Sequence, residues 1–350
     1  METIIEIKNR CEFRLKGSSE RLNEELDWIN SYGGARALLI ASNMIRDLKK
    51  AGVFVGCGHG HACSSLVCYG LGISDVNPIT WNMPFSTFTR HFMKEPVFSI
   101  HTSKGGSDLI GEIKKYADYP EFVEIDGPVA EVRLIDDKSV DHAIYVINEF
   151  PEFDMLKSFQ GHRSIDIKQL SLDNSILKAI VEDGIKDFTL FSHSRMKERV
   201  IEFAPECFSD LCVLEAMFRP FATPKWEKLL EAKKNHNIPS TGINEIDRIL
   251  METYGQLLYE EQLDAIKDLK QSLGTPAIEK ALEILGNDES KLSSKGTIVA
   301  STLEAVLIKA FEMKMPGEFN EAAAPLVDQR KAERIKAIKE ARERIRKQHE

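Results

Sequence analysis

Apolar positions in the first half of the chain switch between a strand-like period and a helical one, whereas the second half keeps the helical period almost throughout. Over residues 3–15 the loose alternation of Ile5, Ile7, Cys11, Phe13 and Leu15 predicts one or two strands. Ser18 or Ser19 then predicts the cap of a helix with Leu22, Leu26 and Ile29 on one face. A second helix is expected over 35–50, ending on Lys49, Lys50 and the stop at Gly52. Val53-Phe54-Val55 predicts a short buried strand. It leads into the glycine-dense turn Gly56-Cys57-Gly58-His59-Gly60-His61 and a helix over 62–71. Further strands are expected over 122–125, 130–134 and 143–147.

From Ser171 onward the punctuation is that of helices. Asn174 predicts a cap for a helix ending at Gly184, and Thr223-Pro224 opens another with proline in its first turn. Thr275-Pro276 opens a third that stops at Gly286, and helices continue to Lys314. Met315-Pro316-Gly317 and Ala324-Pro325 mark hinges before a last basic helix, and no internal repeat is visible.

Composition narrows the class. A chain of 350 residues with 43% hydrophobic and 29% charged positions can bury a substantial core and is not disordered. No apolar run approaches the roughly 18 residues of a membrane span. The start Met-Glu-Thr-Ile-Ile-Glu-Ile-Lys lacks the basic and apolar regions of a signal peptide. The expectation is a cytoplasmic protein without a membrane partner, its six cysteines reduced. Net charge is -9, yet residues 329–350 hold nine Lys or Arg against four Glu, so this segment is +5 and the remainder -14. Ile335, Ile338, Ala341 and Ile345 form an apolar stripe there, flanked by Arg330, Lys331 and Arg334. Such a helix docks on an acidic surface, including this chain's own, or contacts nucleic acid or another acidic partner.

A strand, a glycine-rich turn and a helix make a frame for cradling phosphate, because glycine lets backbone N–H groups approach the oxygens. Cys57, His59, His61, Cys63 and Cys68 also carry zinc-type donors, but single-residue spacing favours buried, neutral side chains instead. A Cys63–His59 nucleophile pair lacks an orienting acid in sequence. Lys104-Gly105-Gly106-Ser107 reads as a turn with Ser107 as N-cap. Trp226, Lys228, Lys233 and Lys234 read as a solvated helix face.

The residues around the loop are more specific. Val55–Pro78, running Val-Gly-Cys-Gly-His-Gly-His-Ala-Cys-Ser-Ser-Leu-Val-Cys-Tyr-Gly-Leu-Gly-Ile-Ser-Asp-Val-Asn-Pro, resembles the palm segment of the bacterial DNA polymerase III alpha subunit. Upstream, Glu24–Ile29 and Ala37–Ile40 fit the same family, and downstream Trp81–Phe88 does. In the second half, Pro205–Leu211, Met217–Pro220 and Thr253–Gln262 resemble its fingers motifs.

The resemblance implies an α/β fold: a nucleotidyltransferase-type palm, an α-helical fingers domain and a C-terminal basic helix. The expected boundaries are 1–165, with the thumb reduced or absent, then 166–315 and 316–350. It also implies a phosphate loop at Gly58, His59, Gly60, His61, Ser64 and Ser65, where the family's Arg and Ser fall on His59 and His61. Arg219, Arg330, Lys331 and Arg334 are candidate DNA or phosphate contacts.

Polymerases of this kind use two magnesium ions about 4 Å apart, which require clustered carboxylates. The family's aspartate positions fall on Val97, Ser99 and His101, with Asp154 a remnant of a third strand position. Valine binds no metal, a neutral hydroxyl is a poor anchor for magnesium, and histidine suits softer ions. The resemblance thus implies no catalytic residue and no metal cofactor. The expected function is a catalytically degenerate binding module for DNA or replication proteins. The alternatives are residual polymerase activity with relocated ligands and a purely structural interaction protein.

Overall fold

The computed structural model describes residues 2–118, 123–126, 129–134, 143–150, 153, 156, 174–183, 194–218, 225–286 and 291–314. Its first element corrects the strand expected at the N-terminus. Glu2–Leu15 is a helix, α1, because Ile4, Ile7, Cys11 and Leu15 recur every three to four residues and share one face. Ile7 and Cys11 are buried while Ile5 and Phe13, two of the five residues in the apparent alternation, face outward.

α2 (Glu20–Tyr32) is capped by Ser19, whose Oγ accepts the Leu22 N–H. It buries Leu22, Glu25, Leu26 and Ile29. α3 (Ala35–Lys50) buries Leu38, Ala41, Met44, Ile45 and Leu48 and ends on its two lysines as expected. The strand expected at Val53–Val55 is reduced to a single bridge between Val55 and Thr102. The helix expected over 62–71 is divided. Gly60–Ser64 is a 3-10 turn, Ser65 is extended, and only Leu66–Leu71 is α-helical, α4.

After α5 (Phe85–Lys94) come β1 (Val97–Thr102) and α6 (Gly106–Ile113). The N-cap of α6 is Gly105, which makes no side-chain cap bond, and Ser107 lies inside the helix rather than capping it. β2 (Val123–Asp126), β3 (Val129–Leu134) and β4 (Ala143–Glu149) complete a four-stranded sheet of order β1-β4-β3-β2. β1 pairs parallel to β4, placing Ser99 beside Val146 and His101 beside Asn148, and the other pairs are antiparallel. Phe98, Ile100, Tyr145, Ile147, Ala130 and Val132 from the inner face pack with α1–α6 in one core.

The helical half contains α7 (Asn174–Asp183), α8 (Ser194–Phe203), α9 (Phe208–Met217), α10 (Trp226–Asn235), α11 (Asn244–Leu250), α12 (Glu260–Asp268), α13 (Lys270–Leu273), α14 (Thr275–Leu285) and α15 (Lys295–Lys314). Proline in the first turn and Gly286 in the left-handed region bound α14, as the sequence suggests. A small core joins α11, α12 and α14 through Ile246, Leu250, Leu263, Ile266 and Ile278. The larger one gathers α7–α10 around α15 and also takes in Phe54, Cys57, Cys63 and Val76 from the first half. The glycine loop therefore lies where the two halves meet.

Candidate functional site

β1 brings together the three positions where the sequence led us to expect the family's aspartates. Its burial alternates, so Phe98, Ile100 and Thr102 enter the core while Val97, Ser99 and His101 share the opposite, partly exposed face. Their β4 neighbours in register on that face are Ile144, Val146 and Asn148. The row is mostly apolar or neutral, and its side chains do not fit magnesium, which requires oxygen ligands and favours carboxylates. Among the described residues no set of three or more His, Cys, Asp or Glu side chains is arranged to hold a metal ion. The remnant candidate Asp154 and the basic candidates Arg219, Arg330, Lys331 and Arg334 lie outside the described residues.

His101 is held in an aromatic stack. Its ring centroid is 4.3 Å from that of Phe150 and 4.7 Å from that of His59. Burial, reinforced by His59, pushes its pKa down to about 3, so the imidazole is neutral at pH 7. His61 stacks on His91 at 5.5 Å, and burial followed by His91 pushes its pKa down to about 3 as well. Among the described residues neither its Nε2 nor Ser64 Oγ, both buried, has a hydrogen-bond partner. Neither His61 nor His101 supplies positive charge for a phosphate near neutral pH.

The backbone N–H groups of Gly56, Cys57 and Gly60 are engaged within the chain. Gly58 and Gly60 have positive φ, which suits glycine and lets the turn bend tightly. The Cys57 N–H donates to Glu304 at 2.7 Å, and the Gly60 N–H donates to Thr297 Oγ1 at 2.9 Å. Ser65 caps α4 by accepting the Cys68 N–H, and its own hydroxyl donates to Glu25 at 2.8 Å. The Leu66 and Val67 N–H groups donate to the same Glu25 carboxylate at 3.0 Å. Glu25 is fully buried and paired with Arg21.

Two of the loop thiols, Cys63 and Cys68, are deeply buried. Cys63 is wholly enclosed beside Ser74, and burial pushes its pKa up to about 12. Cys68 is raised by burial too. Both therefore stay protonated, which also removes the Cys63–His59 nucleophile pair.

The polar clamp between the halves is the second feature of the site. Asp264 of α12 accepts Thr87 Oγ1 at 2.7 Å and Arg90 Nη2 at 2.8 Å, both from α5. Glu260 meets Arg90 and His91 of α5, and Ser86 donates to Asp268. Glu261 accepts the Lys295 and Gly296 N–H groups and thereby holds the start of α15.

Two family models match along the same chain, in order. One describes the bacterial DNA polymerase III alpha NTPase domain and matches residues 6–96, and the other describes the bacterial DNA polymerase III alpha subunit finger domain and matches residues 150–276. The chain belongs to the bacterial DNA polymerase III alpha family. Among its relatives, the DNA polymerase III subunit alpha of Aquifex aeolicus is 27% identical over 230 residues, covering 56% of this chain and 20% of that protein. The corresponding subunit of Mycobacterium tuberculosis is 42% identical over 72 residues, 21% of this chain and 6% of its own length. An error-prone DNA polymerase of Cutibacterium acnes is 38% identical over 71 residues, 20% of this chain and 6% of that protein. The chain thus spans a fifth or less of these polymerase chains.

Sequence reasoning singled out the glycine loop but missed the acceptors that close on it. Glu25 carried a usable signal, since it falls on the apolar stripe of α2 between Leu22 and Leu26. Glu304 and Thr297 carried none that local pattern resolves, because their partners lie 247 and 237 residues away.

Proposed function

We propose that this chain is a non-catalytic member of the polymerase family, a nucleotidyltransferase-type palm frame with a helical fingers module that associates with DNA or with replication proteins. The observation that carries the reading is the β1 face of Val97, Ser99 and His101, a valine, a hydroxyl and a neutral imidazole where a two-metal mechanism needs carboxylates. The two family-model matches, over residues 6–96 and 150–276, support the rest of the frame. On this reading residues 1–165 are the palm-like part, 166–315 the fingers and 316–350 a hinge with a basic helix. Arg219 and the basic positions Arg330, Lys331 and Arg334 supply phosphate contacts.

The deciding experiment is template-directed primer extension by the pure full chain with magnesium or manganese. No extension is expected. Extension abolished by a chelator overturns the reading in favour of relocated metal ligands. Binding of labelled primer-template DNA, weakening steeply with salt, separates a DNA partner from a protein one.

A further inference from the structure

The loop that would face a phosphate faces α15 instead. Thr297 and Glu304 stand seven residues apart on that helix, two turns along one face, and accept the Gly60 and Cys57 N–H groups. The fit is close on both sides. A Cβ at Gly56 would lie 2.6 Å from the Glu304 Oε1, and a Cβ at Gly296 would lie 2.5 Å from the Cys63 Cβ and 2.8 Å from the Gly60 carbonyl. Glu261 fixes the start of α15 in this position through the Lys295 and Gly296 N–H groups, and the Ser301 and Thr302 hydroxyls tie the next turns to Glu215 of α9.

We propose that the Glu304 carboxylate of α15 is an autoinhibitory cap that occupies the loop in place of an oxyanion, with Thr297 closing it, so that phosphate binding at the loop competes with the Glu304 side chain while α15 stays in the core. A carboxylate satisfies the same backbone donor that a phosphate oxygen would use, and it repels a second anion at short range. The loop glycines admit this side chain just as they would admit a ligand oxygen. The proposal rests on the reading of the loop as a polymerase phosphate cradle. It adds that the occupant is the chain itself.

The test uses the isotopically labelled full chain, inorganic pyrophosphate as the probe, and the amide signals of Cys57 and Gly60 as the readout. In the wild type these two signals should not move on adding pyrophosphate. In Glu304→Ala they should move saturably, with affinity raised by about tenfold or more on removal of one close like charge. Wild-type binding as tight as the variant's overturns the proposal, as does a folded Glu304→Ala that gains nothing. Should that variant fail to fold, Glu304→Gln keeps the shape without the charge and is judged by the same gain. Pyrophosphate shifts in the wild type without primer extension sink the cap alone, whereas chelator-sensitive primer extension sinks the functional reading.

Discussion

The His101 imidazole lies against the Phe150 ring, with centroids 4.3 Å apart and planes inclined by 29°. A side chain expected at a metal-ligand position is thus part of an aromatic stack that continues from Phe150 to Phe153. Stacking of this kind rewards a neutral ring and penalises a charged one in a desolvated place.

The first prediction follows from that neutrality. His101 in the folded chain has its pKa pushed down to about 3 from an ordinary 6.5, so between those values the unfolded chain binds the proton first. Its contribution to stability is complete above pH 6.5 and is lost as pH falls towards 3. His101→Phe keeps the stack and removes the proton. Urea unfolding should show stability within about 1 kcal/mol of wild type at pH 7 and a shallower decline between pH 6.5 and 4. An unchanged acid decline would show that His101 is charged in the fold.

Glu25 concerns the loop's far end. Its carboxylate holds Leu66 N–H, Val67 N–H, the Ser65 hydroxyl and Arg21 without any exposed surface. Truncation to alanine strands these donors, so Glu25→Ala should cost about 3–5 kcal/mol. Glu25→Gln, which keeps one acceptor, should cost less. Chemical denaturation of both variants measures this, and a loss under about 1 kcal/mol for alanine would contradict the assignment.

Glu261 predicts the opposite pH trend from His101. Burial, then the nearby Glu260, raises its pKa to about 7 from an ordinary 4.5. The folded chain therefore holds a proton that the unfolded chain has released, and stability declines as pH rises from 4.5 to 7. Glu261→Gln mimics the protonated form and should remove that decline, so its advantage over wild type grows across this window and levels off above pH 7. Comparing melting temperatures of the two proteins at pH 5 and 8 checks the sign.

The α5–α12 clamp predicts coupling between distant segments. Thr87 is fully buried and donates to Asp264 across 177 residues of chain. Asp264→Ala should destabilise by about 2–4 kcal/mol. In a double-mutant cycle with Thr87→Val the pair should show a coupling of about 1–2 kcal/mol. Additive effects would mean that the clamp does not hold the two halves together.

What the sequence by itself determined is local and chemical. Ser19, Lys49-Lys50 and Thr275-Pro276 fixed helix ends because caps, terminal charge and proline act within one turn. The alternation of Val97, Ser99 and His101 set them on one face because the side-chain period of a strand is two. Only the tertiary structure decided that residues 3–15 coil rather than extend, since Ile5 and Phe13 mimic an alternation whose true face is set by packing on α4. It alone brought Glu304 and Thr297 of α15 onto the loop. No periodicity within either segment encodes a contact more than 230 residues long, because it exists only once the separate cores have packed and left the loop between them.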